Sequence, residues 1–223
     1  MNKTKIEWCD YTWNPIVGCS PISAGCENCY AKAISHRFGL PWGSAHFIED
    51  RLWQPEKVSN PSRIFVCSMS DMGHETVMPE WRRMIVHAMK RSPQHTFIVL
   101  TKRPGPWIKE LPPECWVGVT IESAGEVWRW PELCYYAGKK YNIGSKDIKF
   151  ISAEPLLESL QLPLLSEIEI NPLIDEPDWV IAGPETGPGA RQFNPEWLDE
   201  LAKTSWHFFD KRKTGWGRRE FPK

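Results

Sequence analysis

Short apolar runs rich in β-branched and aromatic residues alternate along this chain with stretches whose apolar positions recur at helical spacing. "RIFVCSMSD" (63–71), "HTFIVLTKR" (95–103), "CWVGVTIES" (115–123), "DIKFISAEPL" (147–156), "DWVIAGPETG" (178–187) and "WHFFDKR" (206–212) predict strands. "PEWRRMIVHAMKRS" (79–92) predicts a helix that opens on Pro79 and buries Trp81, Ile85, Ala88 and Met89. "AGEVWRWPELCYYAG" (124–138) predicts a helix broken near Pro131, and "NPEWLDELAKT" (194–204) one capped by Asn194 with Pro195 in its first turn. The acidic, Leu- and Pro-rich connection 157–177 yields no assignment. Continuous apolar strands alternating with helices predict an α/β fold, a parallel sheet covered by helices. The chain falls short of eight βα units, so the expected architecture is a partial (β/α)6 TIM-like barrel formed by a single domain over residues 1–223.

Each predicted strand runs apolar and then ends in polar side chains. The ends carry Ser68, Ser70 and Asp71; Thr101, Lys102 and Arg103; Thr120, Glu122 and Ser123; Ser152 and Glu154; Glu185; and Asp210 and Lys211. A strand leaving the core for a polar loop accounts for one or two such ends. Their recurrence favours a shared polar pocket at the C-terminal edge of the sheet, where α/β proteins build their sites.

Composition narrows the class. Apolar residues make up 41% and charged residues 25%, as in a soluble globular protein. A net charge of −1 gives no global signature of a nucleic-acid binder and leaves room for a local basic patch, such as the tail at 211–223. No apolar run approaches the ~20 residues of a membrane span, and the first residues lack the apolar core of a secretory signal. The expectation is a cytoplasmic protein without a membrane partner, in a bacterial or host cell. Seven cysteines would stay reduced there, and a close cysteine cluster reads as metal-binding or catalytic rather than bridged.

Cys19, Cys26 and Cys29 form that cluster, spaced C-x6-C-x2-C on the loop 14–30. Pro15, Gly18, Pro21 and Gly25 keep the loop non-helical and let backbone N–H groups approach sulfur, and a helix opens near Tyr30. Three thiolates suit a 4Fe–4S cluster with one iron left open for catalysis. A structural zinc completed by Cys9 or a histidine also fits, and spacing alone leaves cluster and zinc both open.

The segment "IEWCDYTWNPIVGCSPISAGCENCYA" resembles the opening of a radical S-adenosylmethionine group common in phages and prophages, a variant of the usual C-x3-C-x2-C motif. "SMSD" (68–71), "PQHTFIVLTKRP" (93–104), "WVGVTIES" (116–123), "FISAEPLL" (150–157) and "WVIAGPETGPGAR" (179–191) extend the likeness in order along nearly the whole chain. The group is also distantly similar to spore photoproduct lyase, which has a cysteine–tyrosine pair at its third ligand, here Cys29 and Tyr30. The resemblance implies that Cys19, Cys26 and Cys29 hold a 4Fe–4S cluster whose open iron chelates S-adenosylmethionine. An electron donor such as flavodoxin or ferredoxin would drive cofactor cleavage to a 5′-deoxyadenosyl radical. Ser68, Ser70 and Asp71 stand where such enzymes bind the methionine amino group, and Ile181, Gly183 and Glu185 where they contact adenine. Glu122 and Glu154 are candidates for ribose, or for ion pairs with Lys102 or Arg103.

Other candidates follow from residue type. Cys67 is a hydrogen-atom donor to a product radical or simply a small core residue. His74 is a proton shuttle or a solvated loop histidine. Lys102 and Arg103 point two cations at one pocket, which calls for an anion. With Arg191 they are candidates for the phosphates of a substrate, while Trp8, Trp13 and Trp42 would shield the cluster or stack on a flat ring. The resemblance points to a nucleobase, with rearrangement of a modified thymidine in phage DNA as the expected reaction. A lyase or repair-type reaction on DNA is the alternative, and a zinc- or cluster-bound nucleic-acid module without chemistry is the non-enzymatic one.

Overall fold

The computed structural model describes residues 1–138, 148–160, 176–203, 207–212 and 218–222. Strands β2 (Tyr11–Trp13), β5 (Arg63–Val66), β6 (Thr96–Thr101), β7 (Trp116–Thr120), β8 (Lys149–Ala153), β9 (Trp179–Ala182) and β10 (His207–Asp210) pair in parallel, in that order. A short strand β1 (Asn2–Lys3) adds an antiparallel edge beside β2, completing an eight-stranded sheet. Strands β3 (Ile16–Val17) and β4 (His46–Phe47) form a separate antiparallel pair. The protein is thus a mixed α/β fold around a mostly parallel sheet. Among the described residues no helix is long and apolar enough to cross a membrane.

Alternation along the strands gives the sheet two different faces. Ile64, Val66, Val99, Val117, Val119 and Val180 pack in one core with helices α2 (Pro79–Lys90), α3 (Arg129–Ala137) and α4 (Pro195–Leu201), through Ile85 and Met89, Trp130 and Leu133, and Leu198 and Leu201. Among the described residues the remaining α-helix, α1 (Tyr30–Phe38), follows the cysteine loop. On the opposite face Phe65, Ile98, Trp116, Phe150, Ile181 and Phe209 form a second core with Trp8.

This second face is strongly concave. Phe65 on β5 and Trp179 on β9 lie four strand spacings apart in the sheet order, which in a flat sheet is about 19 Å. Yet the Trp8 ring centroid is 4.8 Å from that of Phe65 and 6.4 Å from that of Trp179, so a single indole bridges them. Phe221 makes a similar bridge, 5.6 Å from Trp179 and 4.1 Å from the Arg63 guanidinium. Close approach also explains Gly118 in β7, where a Cβ would sit 2.6 Å from the Phe150 ring.

Several expectations change. About six strands were expected, and seven run in parallel; the three-residue β2 gives too short an apolar run to stand out. The strand predicted over 63–71 ends at Val66, and Cys67 adopts a left-handed conformation with φ of 57° that turns the chain into "SMSD". The helix predicted over 124–138 is a 3₁₀ turn at Ala124–Glu126 followed by α3. Pro131 lies in the first turn of α3, where a missing N–H costs nothing, and so does not break it. Asn194 does cap α4, accepting from the Glu196 N–H at 3.0 Å. Of the connection 157–177, residues 161–175 lie outside the described residues, as do 147, 204, 206, 213–217 and 223 of the other predicted segments. The described end of the basic tail folds back on the sheet: Trp179 Nε1 donates to the Glu220 carbonyl at 2.8 Å, and Asp210 N to the Arg218 carbonyl at 2.8 Å.

Candidate metal and cofactor site

A cavity of about 410 Å³ opens at the C-terminal strand ends, and Cys19, Cys26 and Cys29 all line it. The loop between β3 and α1 is shaped to put them there. Gly18 has φ of 88° and packs so tightly on the Ser44 carbonyl that no Cβ fits. Its N–H donates to the Met69 carbonyl at 3.0 Å and its carbonyl accepts from the Ser70 hydroxyl at 2.6 Å, so the "SMSD" turn grips the loop's first end. Cys26 closes a 3₁₀ turn (Ala24–Cys26) in which Gly25 lies flush against the Glu122 carboxylate. Cys29 is the N-cap residue of α1.

Two cations from the end of β6 reach the sulfurs. Lys102 Nζ donates to Cys26 Sγ at 3.4 Å and to the Ser23 hydroxyl at 3.2 Å, and it is ion-paired with Glu122. Arg103 donates to Cys19 Sγ at 3.6 Å and to the Ser20 carbonyl at 2.8 Å. Burial pushes the Cys26 thiol up, but Lys102 and nearby hydrogen-bond donors outweigh it and hold the thiol below its ordinary range. Burial, reinforced by Asp71, pushes the Cys19 thiol up to about 11 despite Arg103.

Glu122 is fully buried beneath this wall. It accepts from the Ser23 hydroxyl at 2.6 Å and from Arg129 at 2.8 Å, besides pairing with Lys102. Burial alone would raise its carboxyl, but Lys102, Ser23 and Arg129 hold it below the usual range. Of the two roles expected for Glu122, the structure thus forms the ion pair with Lys102.

The residues expected around the methionine end are close by, already occupied in holding loops. Asp71 accepts from Gly73 N at 2.8 Å, the Thr101 hydroxyl at 2.6 Å, Lys102 N at 3.0 Å and Arg103 at 3.5 Å, which uses the ordinary capacity of a carboxylate. The Ser68 hydroxyl donates to Asn14 Oδ1 at 3.2 Å, and the Tyr30 hydroxyl to the Ser68 carbonyl at 2.7 Å. His74 is buried rather than solvated: Nε2 bonds with the Ser20 hydroxyl at 2.8 Å and Nδ1 with the Thr76 hydroxyl at 3.0 Å. Burial and Arg103 lower its pKa, which favours the neutral ring. Cys67 lines the cavity, its thiol pushed up to about 12 by burial.

The opposite wall carries Glu154 paired with Lys211, and Glu185 paired with Arg191. Ile181 belongs to the aromatic floor, and Gly183 spends its N–H on the Ala153 carbonyl and its carbonyl on Leu156 N. Both Gly183 backbone groups thus already carry a hydrogen bond within the protein. Arg191, expected at a substrate phosphate, projects onto the Glu185 carboxylate instead. It donates to Glu185 at 2.9 and 2.5 Å and to the Ala24 carbonyl at 3.0 Å, tying the 183–191 turn to the cysteine loop. Asn28 Nδ2 adds a bond to Glu185 at 3.0 Å. All three cations expected to hold substrate phosphates thus have acidic partners within the protein. Sequence reasoning missed Asn14, Ser23 and Arg129, and had Lys211 only as a polar strand end. Asn14, between Trp13 and Pro15, offered a weak signal; Arg129 offered none, since a polar residue on a helix is ordinarily solvated.

Arg191 holds the Glu185 carboxyl down to about 2, from an ordinary 4.5. A depressed carboxylate stabilises the fold above its unfolded value and loses that contribution as pH falls through its folded value. The stability difference between the parent chain and Glu185→Gln is therefore expected to be constant above about pH 5. It should shrink steadily as pH falls from 4.5 towards 2, which urea unfolding at a series of pH values measures. A difference independent of pH over that range contradicts the clamp.

Among the described residues, no three His, Cys, Asp or Glu side chains are placed to hold a single metal ion. A four-iron cluster asks for something else: each thiolate binds its own iron, so the three sulfurs need to line one hollow rather than converge on a point. Cys19, Cys26 and Cys29 meet that requirement, and the cations beside two of them suit an anionic cluster. Trp8, whose buried indole N–H has no acceptor among the described residues, also lines the hollow.

The chain belongs to the family described as "Protein of unknown function (DUF5131)", which matches residues 3–222. No curated protein and no solved structure matches it.

Proposed function

We propose that this protein is a radical S-adenosylmethionine enzyme and that its curled sheet is a partial barrel, with seven parallel strands rather than six. The observation that carries the proposal is the gathering of Cys19, Cys26 and Cys29 on one wall of a strand-end cavity, with Lys102 and Arg103 against two of the sulfurs. When bound, a 4Fe–4S cluster with S-adenosylmethionine supplies one-electron cleavage of a carbon–sulfur bond, giving a carbon radical that takes a hydrogen atom from substrate.

The chain's own residues position and shield. Gly18 and Gly25 let the loop lie close enough to the "SMSD" turn and Glu122 to fix the three thiols. Trp8 and Phe65 line the apolar base of the cavity and exclude water from it, offering flat faces to a ring. Cys67 keeps its proton at neutral pH, because burial holds the thiol up at about 12. These flat walls support the nucleobase reading that the family resemblance suggests, with rearrangement of a modified thymidine as the reaction and flavodoxin or ferredoxin as electron donor.

The test is anaerobic. Reconstituted protein with a strong one-electron reductant is expected to convert S-adenosylmethionine to 5′-deoxyadenosine and methionine. Deuterium placed on the modified thymidine should appear in the 5′-deoxyadenosine. A fully loaded protein that never cleaves the cofactor ends the proposal. Cleavage with label transferred only from a peptide or small metabolite ends its nucleobase part.

A further inference from the structure

The buried charges beneath Cys26 do not balance within the protein's acids and bases. Glu122 is one carboxylate with two cations on it: Lys102 on Oε1, and Arg129 donating to Oε2 at 2.8 Å. The side chains of Glu122 and Arg129 are 1% and 2% exposed and that of Lys102 19%, so water does little to screen the surplus positive charge. Arg129 also donates to the Thr120 carbonyl at 2.6 Å, which carries no charge. The Lys102 ammonium has three N–H groups and three partners: Glu122, the Ser23 hydroxyl and Cys26 Sγ. Of these, only the sulfur can supply a second negative charge. Cys19 is served differently. Its cation, Arg103, is already faced by Asp71 and Glu75, each at 3.5 Å, so no positive surplus is left over.

We infer that Lys102 is the positioning residue that matches the charge of the Cys26 thiolate and thereby sets the retention and the reduction potential of a cluster held by Cys19, Cys26 and Cys29. The inference rests on the cluster reading above. A cation hydrogen-bonded to a ligating sulfur stabilises the more negative, reduced cluster and raises its midpoint potential. Glu122 keeps the ammonium in place, and Arg129 ensures that Glu122 does not neutralise it. Arg103, by the same accounting, orients the Cys19 end of the loop with a smaller electrostatic effect.

The experiment compares parent, Lys102→Met, Lys102→Arg and Arg103→Gln, all reconstituted anaerobically. It reads the midpoint potential by spectroscopic redox titration and iron loss to a chelator, with no substrate turnover involved. Lys102→Met is expected to lower the midpoint and speed iron loss about 10–100-fold, the usual effect of removing a group that supports a metal ligand. Lys102→Arg should restore both towards the parent values, and Arg103→Gln should move the midpoint less than Lys102→Met. Thermal unfolding of the metal-free chains checks that the Lys102 variants fold. Should Lys102→Met not fold, Lys102→Gln replaces it in the same comparison. A loaded Lys102 variant with the parent's midpoint and iron-loss rate overturns the inference and leaves the cluster reading intact. A parent chain that takes up no iron and sulfide ends both, and is recognised because the failure appears before any substitution.

Discussion

Replacing Cys26 by alanine is expected to abolish retention of iron and sulfide after anaerobic reconstitution, and Cys19→Ala and Cys29→Ala should do the same. Three ligands are the least that hold such a cluster with one iron open, and each thiol lines the cavity on a loop whose ends are pinned elsewhere. Cys115 and Cys134 provide the contrast. Both are buried in the core on the helix-covered face, and the Cys115 thiol donates to the Phe97 carbonyl at 3.4 Å. Alanine at either position should leave iron and sulfide at the parent level while costing some stability, because the small cavity it creates lies in packed core. Full iron content in Cys26→Ala, measured beside protein concentration, is the outcome that sinks the cluster assignment.

The second large effect concerns the fold itself. Glu122→Ala is expected to destabilise the metal-free protein by about 3–5 kcal/mol, the usual cost of breaking a buried ion pair from one side. It removes the common partner of Lys102 and Arg129 and leaves two buried cations facing each other, besides taking the acceptor from the Ser23 hydroxyl. Chemical denaturation measures the change. A surface glutamate such as Glu80, paired with Arg83 at an exposed i,i+3 position, serves as the control and should cost well under 1 kcal/mol. A Glu122 variant as stable as the control would mean that the network is solvated, contrary to the burial seen here.

The sheet was legible because its strands are buried on both faces. "FIVL" and "WVIA" are continuous apolar runs, and their polar ends announced the cavity mouth. The same logic failed at β2, where Tyr11–Trp13 is too short to stand out between Asp10 and Asn14. It also overran at β5, because Cys67 looks apolar while its backbone already turns. Within the site, residue type told which groups would be present but not whom they would face. Lys102, Arg103 and Arg191 were legible as cations in need of anions. That the anions are Glu122, Asp71 and Glu185 depends on pairings 20, 32 and 6 residues apart, which no local pattern encodes.

Because each parallel strand pairs with the one made just before it, the sheet can grow in step with synthesis, each new strand finding a finished edge. The cysteine loop cannot mature that way. Asn28 waits for Glu185, 157 positions later, and Ala24 for Arg191, 167 positions later. Until those residues leave the ribosome, the loop between β3 and α1 lacks its clamp, and Trp8 has no Trp179 to close the concave face against. A cluster delivered to the nascent chain would therefore meet thiols on a segment held at its first end but not yet clamped at Ala24 and Asn28. On the cluster reading, timing is built into the order of the chain: loading would follow the last strands.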